Sequence, residues 1–210
     1  KDHGADTVLL NGDIVDHYSL SRWQKDPRLR RFAEEVHDAR TLLHGIRLAF
    51  PDARIYWKLG NHEERYEAYM ISQAPDFLGI EAFRWEYVFG LDVHNVYLIA
   101  DKRPLTLGKL TVIHGHEFNS GFSNPVNPAR GFFLKAGVHV LGGHYHQTSQ
   151  HSKKDLSQNV VSAWSTGALC EDHPAYRPIN DWNSGFAYVE TDINGAFQVE
   201  NKRIIDGRVW

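Results

Sequence analysis

Four short apolar segments of this chain each end in a turn that carries glycine together with Asp, Asn or His. The turns are Gly12-Asp13-Ile14-Val15-Asp16, Gly60-Asn61-His62-Glu63, His114-Gly115-His116 and Gly143-His144-Tyr145-His146. Short apolar runs bounded by turn residues predict buried strands, and open α/β folds collect ligand-binding groups at the carboxyl ends of their strands. The pattern therefore predicts an α/β fold in which several strand ends contribute polar groups to a site.

Hydrophobic periodicity predicts the elements around these turns. The strands that precede or enter the turns are residues 7–10, 55–59, 110–114 and 138–141, the first of them in a parallel sheet. Further strands are predicted at 96–100, 159–165, 185–191 and 197–205, with a hairpin turn at Asn194-Gly195. Helices are predicted at 63–73 and 128–136. A helix of about twenty residues is expected to begin with Asp26 as N-cap and Pro27 at the first helical position, with Leu29 on its apolar face.

Composition excludes several classes of protein. The 210 residues include 23 Lys and Arg against 26 Asp and Glu, a formal net charge of −3 that gives no global attraction to nucleic acid or membrane. Ordinary fractions of hydrophobic and charged residues exclude a disordered chain. The single cysteine, Cys170, excludes an internal disulfide and a cysteine-rich zinc site. No signal-like or membrane-spanning segment is found, so we expect a cytoplasmic protein without a membrane partner.

The donor atoms in the four turns suit hard or borderline divalent cations. The chain has 13 histidines, and carboxylate, amide oxygen and imidazole together favour Zn²⁺, Mn²⁺ or Fe. Taken alone, an Asp after a strand is more often a helix cap, and an isolated His is more often structural. Four such strand ends in one chain favour a metal site, and a pair of ions about 3.5–4 Å apart clamps a phosphoryl group and activates water.

The four turns resemble four of the five signature blocks of the calcineurin-like metallophosphoesterases. The resemblance runs from Gly12 to His146. It implies a four-layer α/β/β/α sandwich of two mixed β-sheets with a dinuclear centre. Two divalent ions are expected, Mn²⁺ first and Zn²⁺, Fe or Ni²⁺ as alternatives.

The resemblance also implies a role for individual residues. Asp13 would bridge both ions. The coordination of one ion would be completed by Asn61, His114 and His144, and His146 would bind the other ion. His62 would act as general acid or hydrogen-bond donor to the leaving oxygen. Asp16 would pair with His62 and orient its ring.

The chain departs from the family pattern in two places. The family opens with an Asp-x-His block before the Gly-Asp block, whereas Asp2 and His3 are adjacent here. We therefore expect residues 1–210 to be a single domain that lacks its first strand, and the two ligands of that block either lie upstream of Lys1 or are lost. Relatives that act on phosphoproteins carry Arg after the second Asp of the Gly-Asp block, where this chain has His17. The loss of that bidentate phosphate contact weakens the protein-phosphatase interpretation.

Candidate substrate-binding residues follow the first turn. His17 and Arg22 are the first of them, and a basic cluster continues around Trp23 with Lys25, Arg28, Arg30 and Arg31. This cluster is either a phosphate-backbone contact or a solvated helix start balanced by Glu34 and Glu35. The aromatic residues Trp164, Tyr176 and Trp182 are candidates for base stacking, with core packing as the alternative.

The sequence thus predicts a binuclear metal-dependent phosphoester hydrolase. A phosphodiesterase or nuclease that acts on nucleic acid or nucleotides is favoured, because His17 replaces Arg and a basic–aromatic cluster lies nearby. The alternatives are a phosphomonoesterase, such as a nucleotidase or a protein phosphatase-like enzyme, and a non-catalytic scaffold of the same fold. A scaffold has no need of the acid–base residue His62. The sequence predicts no oligomeric state.

Overall fold

The computed structural model describes residues 4–26, 28–29, 31–118, 126–174 and 176–210. The chain divides into two compact units, residues 1–101 and 102–210, and both contain strands and helices. This content confirms the predicted α/β class, while the assignment of all 210 residues to one domain stays a prediction. Among the described residues, no helix is both long enough and apolar enough to cross a lipid bilayer.

The first unit is built on a parallel sheet of three strands in the order β1-β2-β3. These are β1 (Thr7–Leu10), β2 (Arg54–Lys58) and β3 (Val96–Ile99). The helices of this unit are α1 (Phe32–Ala49), α2 (Glu64–Gln73) and α3 (Trp85–Val88), with short 3₁₀ turns at Tyr18–Leu20, Pro75–Phe77 and Glu81–Phe83. The parallel pairing of β1 with β2 confirms the prediction for residues 7–10.

The core of the first unit packs around the middle strand. Ile55 and Trp57 of β2 are fully buried, as are Leu43 of α1 and Phe89 after α3. Trp57 meets the ring of Trp85 edge to face at a centroid distance of 4.8 Å, an arrangement that adds to the stabilisation from buried area. This packing fixes the carboxyl end of β2, from which the Gly60-Asn61-His62-Glu63 turn leaves.

The predicted start of the long helix is wrong. Helix α1 begins at Phe32, and Leu29, expected on its apolar face, lies outside it with 54% of its surface exposed. The carboxylate of Asp26 accepts the backbone N–H of Arg28 at 3.0 Å and pairs with its guanidinium at 2.7 Å, which closes a local turn instead of capping a helix. Pro27 lies outside the described residues. Glu34 accepts the backbone N–H of Arg31, which supplies the first cap of α1.

The second unit contains a mixed sheet in the order β4-β5-β6-β8-β7. Its strands are β4 (Leu105–Leu107), β5 (Leu110–Val112), β6 (Val140–Gly142), β7 (Ser149–Lys154) and β8 (Val160–Ser165). The pairs β5–β6 and β6–β8 are parallel, and the outer pairs are antiparallel. A separate antiparallel sheet joins β9 (Gly185–Thr191), β10 (Phe197–Ile205) and β11 (Arg208–Val209).

Helix α4 (Pro128–Ala136) connects β5 to β6 and has the predicted bounds. The Asn127 side chain accepts the backbone N–H of Arg130 at 2.9 Å, and Gly137 ends the helix with φ 66°. Phe132 of this helix is buried against Val140 and Ala163 of the mixed sheet. The packed helix therefore covers the strands whose ends carry the His114 and His144 turns.

Candidate active site

The Gly12-Asp13 turn follows β1 and lies against the turn that follows β2. Asp13 has φ 56°, a left-handed conformation that a non-glycine residue rarely adopts. Its Oδ1 accepts the backbone N–H of His62 at 2.9 Å. A Cβ at Gly60 would lie 2.6 Å from the backbone nitrogen of Asp13, so the close approach of the two turns requires glycine.

A buried carboxylate joins these two turns. Glu63 is 1% exposed, and its oxygens accept the backbone N–H groups of Asp13 and Ile14, both at 2.8 Å, and that of Gly60 at 2.9 Å. The indole N–H of Trp57 donates to the same carboxylate at 3.2 Å. Burial raises the pKa of Glu63. The sequence analysis assigned no role to Glu63, although its place three residues after Gly60 suits a side chain that folds back onto its own turn.

The side chains of His62, Asp16 and Arg65 form one hydrogen-bonded group. His62 Nδ1 lies 2.9 Å from Asp16 Oδ1, so the structure brings together the predicted pair. Arg65 Nη1 donates to the same oxygen at 2.9 Å and to the backbone oxygen of Asp16 at 2.7 Å, while its Nη2 lies 3.2 Å from His62 Nε2. Sequence reasoning missed Arg65; the signal was its i+3 spacing from His62 at the start of a predicted helix.

His17 has a different environment from the one expected of a substrate-binding residue. Its ring is fully buried and packs among Phe32, Tyr66 and Phe89 at centroid distances of 5.6 to 6.2 Å. Nδ1 lies 3.1 Å from the backbone oxygen of His62, and burial lowers the pKa of His17 to about 4. A ring with no exposed surface speaks against direct contact with substrate. His17 instead holds the backbone of His62 from within the core.

Arg22, the other predicted substrate-binding residue, lies on an exposed turn. Its guanidinium stacks 4.8 Å above the ring of Trp23, itself 65% exposed. Within the same basic cluster, Arg28 is paired with Asp26, and Arg30 lies outside the described residues. The geometry leaves Arg22 accessible to an anion, and its role stays a prediction.

In the second unit, two candidate ligands come together at the ends of β5 and β6. The rings of His114 and His144 lie at a centroid distance of 5.2 Å, and ligand nitrogens of the two approach within 4.8 Å. His114 is 1% exposed, and His144 has φ 64°. Gly115 has φ 130°, and a Cβ there would lie 2.9 Å from the Cβ of His144. Glycine at this position therefore permits the approach of the two imidazoles.

A second carboxylate holds the His114 turn. Glu117 accepts the backbone N–H groups of His114 at 2.9 Å and Gly115 at 2.6 Å. The neighbouring ring of His116 packs 5.1 Å from that of His114, so His116 lies beside the candidate ligand pair. Glu117 was also missed by the sequence analysis, and it too follows the first residue of its turn by three positions.

His146 lies apart from this pair. Among the described residues, it is not part of the group of metal-capable side chains that contains His114 and His144. Its ring packs on Trp182 at a centroid distance of 4.2 Å, and its Nδ1 lies 3.8 Å from Cys170 Sγ. A φ of 58° sets its direction. This position agrees with the assignment of His146 to the second ion, apart from the ion of His114 and His144, and the assignment stays a prediction.

The side chains in these turns fit divalent metal ions. The Oδ1 atom of Asn61 is buried and has no hydrogen-bond partner among the described residues. An orphaned buried oxygen is costly unless a cation or water satisfies it. Imidazole nitrogen, carboxylate and amide oxygen are the donors expected for Mn²⁺, Zn²⁺ or Fe. Asn61 and the paired imidazoles of His114 and His144 are therefore suited to bind metal.

Two proteins of known phages match the whole chain at low identity. The Gene 54 protein of Mycobacterium phage L5 is 25% identical over 235 aligned residues, which cover 100% of this chain and 88% of the phage protein. The Gene 54 protein of Mycobacterium phage D29 is 24% identical over 227 residues, with the same coverage of 100% and 88%. The family model for Calcineurin-like phosphoesterase matches residues 1–153, and the chain belongs to this family.

Proposed function

We propose that this protein is a two-metal phosphoester hydrolase that prefers phosphodiesters, with nucleic acid or nucleotides as its substrates. Membership of the calcineurin-like phosphoesterase family supports metal-dependent phosphoester hydrolysis. The observation that carries the proposal is the pairing of His62 with Asp16 in the turn that also contains the orphaned oxygen of Asn61. An acid–base residue next to a metal-binding oxygen is an arrangement that a purely structural scaffold does not need.

The proposed ligands are those implied by the family resemblance. Asp13, Asn61, His114, His144 and His146 would hold the ions. When bound, two divalent ions supply a hydroxide at neutral pH and positive charge for the phosphoryl oxygens. Mn²⁺ is the first candidate, and Zn²⁺, Fe and Ni²⁺ are alternatives to be separated by measurement.

The remaining chemistry belongs to protein side chains. Since a carboxylate only accepts, His62 donates Nδ1–H to Asp16, which fixes the ring. Nε2 of the neutral ring accepts from Arg65, and Nε2 of the protonated ring would carry the proton that goes to the leaving oxygen. Arg65 braces Asp16 through two contacts from Nη1. Its planar guanidinium, next to His62 Nε2, also carries donors of the kind that bind phosphate oxygens.

The preference for phosphodiesters rests on residues between β1 and α1. His17 occupies the position at which phosphoprotein phosphatases carry Arg, and its buried ring offers no charge to a terminal phosphate. The exposed pair of Arg22 and Trp23 offers a cation and an aromatic face instead. These two features support a substrate with a backbone phosphate and a base.

Metal content and hydrolysis test the proposal together. Purified protein loaded with Mn²⁺ is expected to bind metal and to cleave single-stranded DNA, RNA or a cyclic nucleotide faster than a phosphomonoester. The H62A variant should lose about 10²- to 10⁴-fold in kcat through loss of the general acid. H37A, at an exposed position on α1, is the matched control and should retain full activity.

Three results would contradict the proposal in different ways. Protein that binds no metal would favour the scaffold alternative, whereas an H62A variant with unchanged hydrolysis would exclude His62 as the general acid. Hydrolysis restricted to phosphomonoesters would retain the enzyme class and overturn the preference for phosphodiesters.

A further inference from the structure

An aromatic group lies beside His146 in the second unit. Trp182 packs on the His146 ring at 4.2 Å, and the ring of Tyr176 lies 6.3 Å from that of Trp182. The guanidinium of Arg177 lies 5.6 Å from the centroid of Trp182. Tyr176 is 77% exposed, so this group, the Tyr176–Arg177–Trp182 cluster, presents an aromatic surface to solvent next to a proposed metal ligand.

The cluster is distinct from the hydrophobic core. Trp164, the other tryptophan considered for base stacking, is 7% exposed and packs edge-on to Phe197 at 5.9 Å. Burial commits that side chain to the core. Of the three aromatic candidates in the sequence, Tyr176 and Trp182 therefore remain able to contact a ligand.

The loop that carries the cluster is held by side-chain hydrogen bonds. Asn180 accepts the backbone N–H of Trp182 at 2.8 Å and donates to the backbone oxygens of Asp172 at 2.7 Å and Arg177 at 2.8 Å. One amide thus bonds Asp172, Arg177 and Trp182. A pre-organised aromatic surface loses less conformational entropy when a ligand binds.

The segments on either side of this cluster also line a polar cleft. The cleft, of about 480 Å³, is bordered by Gln147 and Thr148 after His146, by Asp181 and Asn183 on both sides of Trp182, and by Arg203. Asn183 accepts the backbone N–H of Thr148 at 2.8 Å and donates to its hydroxyl at 2.7 Å. These bonds join the segment between His146 and β7 to the residue after Trp182, so His146, the Trp182 ring and the cleft are positioned together.

We propose that the exposed ring of Tyr176, held next to the inclined ring of Trp182, stacks on a nucleobase of the substrate while the phosphoester lies at the ion held by His146. This inference rests on the proposed phosphoester hydrolysis and names its substrate class: a nucleotide or single strand whose base is accessible. Every base has a π-face, so stacking tolerates different bases. Arg177 adds positive charge beside the ring. Bases in a duplex are already stacked on their neighbours, which disfavours double-stranded substrates at this surface.

The experiment compares strands that differ only in their bases. Mn²⁺-loaded protein is given a single-stranded oligothymidylate and a strand of the same length made of abasic sites, with cyclic AMP as a base-bearing substrate without a strand. Wild-type kcat/KM should be about tenfold or more higher for oligothymidylate than for the abasic strand, since stacking of one base contributes about that factor. The Y176A variant should bring this ratio close to one through a higher KM.

Variants of neighbouring residues sharpen the result. W182F retains a stacking ring and should keep most of the ratio, whereas W182A should lose it. Because Trp182 also packs on His146, metal content is measured for each variant. Y97A, at a half-exposed tyrosine on β3, is the matched control and should keep the wild-type ratio. In EDTA, fluorescence anisotropy should show weaker binding of labelled oligothymidylate by Y176A than by Y97A.

The possible failures are distinguishable. If wild-type protein hydrolyses neither strand nor cyclic AMP, the proposed function is wrong. If it hydrolyses both strands at equal kcat/KM, or if Y176A keeps the wild-type ratio, hydrolysis stands and the base site is overturned. If Y176A lowers kcat/KM for cyclic AMP as well as for oligothymidylate, the stacked base belongs to a nucleotide. If Y176A lowers kcat/KM for oligothymidylate alone, the base belongs to single-stranded nucleic acid. Both results support stacking at Tyr176.

Discussion

The two units hold their candidate ligands in different ways. In the first unit, polar side chains are tied by hydrogen bonds: Glu63 accepts four N–H groups, and Asp16 bonds both His62 and Arg65. In the second unit, the imidazoles pack on one another and on aromatic rings. His114 lies against His144, and His146 lies against Trp182.

This difference shows two solutions to the burial of polar groups. A carboxylate that is 1% exposed persists only where N–H donors replace water, and Glu63 has four of them. An imidazole ring offers apolar faces, so His114 and His144 can pack as rings and still direct nitrogens to a shared point. In the second unit, Glu117 plays a similar part on a smaller scale, because its carboxylate accepts two backbone N–H groups. The first unit should therefore depend more strongly on its carboxylate than the second.

The largest expected effect is that of removing Glu63. The E63A variant leaves four buried or partly buried N–H donors without their acceptor, and we expect the free energy of unfolding to fall by about 4 kcal/mol. Chemical denaturation of the metal-free protein measures this change. E67Q, an exposed change on α2, the helix that follows the Glu63 turn, is the control and should stay within about 0.5 kcal/mol of wild type. A loss for E63A no greater than that for E67Q would refute the supporting role of Glu63.

Removal of Glu117 should cost less. E117A frees the two backbone N–H groups of His114 and Gly115, against four N–H groups for E63A, so we expect a loss of about 2 kcal/mol under the same conditions. If E117A destabilises the protein as much as E63A does, the first unit does not depend more strongly on its carboxylate than the second. A bound metal should reduce the difference between E117A and wild type, because ligation adds its own constraint on the turn.

The buried ring of His17 predicts acid sensitivity. Burial lowers the pKa of His17 from 6.5 to about 4, so the folded protein holds the ring neutral. The contribution to stability is complete above pH 6.5 and is lost as the pH falls towards 4, because the unfolded chain binds the proton first. Between pH 7.5 and 5, wild type should lose about 2 kcal/mol more than H17F, which keeps an aromatic ring without a titratable group. Parallel pH profiles of unfolding for wild type and H17F would rule out this assignment.

The smallest effect is expected at Arg22. Its guanidinium is exposed on Trp23, so R22A should change the free energy of unfolding by less than about 0.5 kcal/mol. If Arg22 contacts a substrate phosphate, R22A should raise KM for a single strand by about twofold at low salt, and this difference should fade at high salt. An unchanged KM at low salt would remove Arg22 from the substrate-binding residues.

Parts of the fold with local signals were predictable from the sequence. Helix α4 has an Asn cap, a first-turn proline and a terminal glycine, and its predicted bounds are confirmed. The hairpin between β9 and β10 follows from Asn194-Gly195. Strand β7 was missed because Ser149–Lys154 has no apolar run and forms a strand only by pairing with β8. Helix α1 begins later than predicted because Asp26 bonds Arg28 instead of a helical N–H.

The same division applies to the candidate site. The four polar turns were predicted from residue type and order, whereas the pairing of Asp16 with His62 was implied by the family resemblance, which the family match confirms. Residues whose role depends on what lies against them were not predictable. Glu63, Arg65 and Glu117 look like ordinary surface charges in the sequence, and only their contacts distinguish them.

The sequence by itself determined the family, the α/β class and the positions of the polar turns, because short apolar runs and glycine-containing turns encode strand ends locally. Tertiary structure decided which polar groups are buried and which are exposed. Packing placed the polar residue His17 inside the first unit and kept the aromatic residue Tyr176 at the surface of the second. Burial depends on distant segments such as Phe32, Tyr66 and Phe89 around His17, and local sequence carries no record of such neighbours.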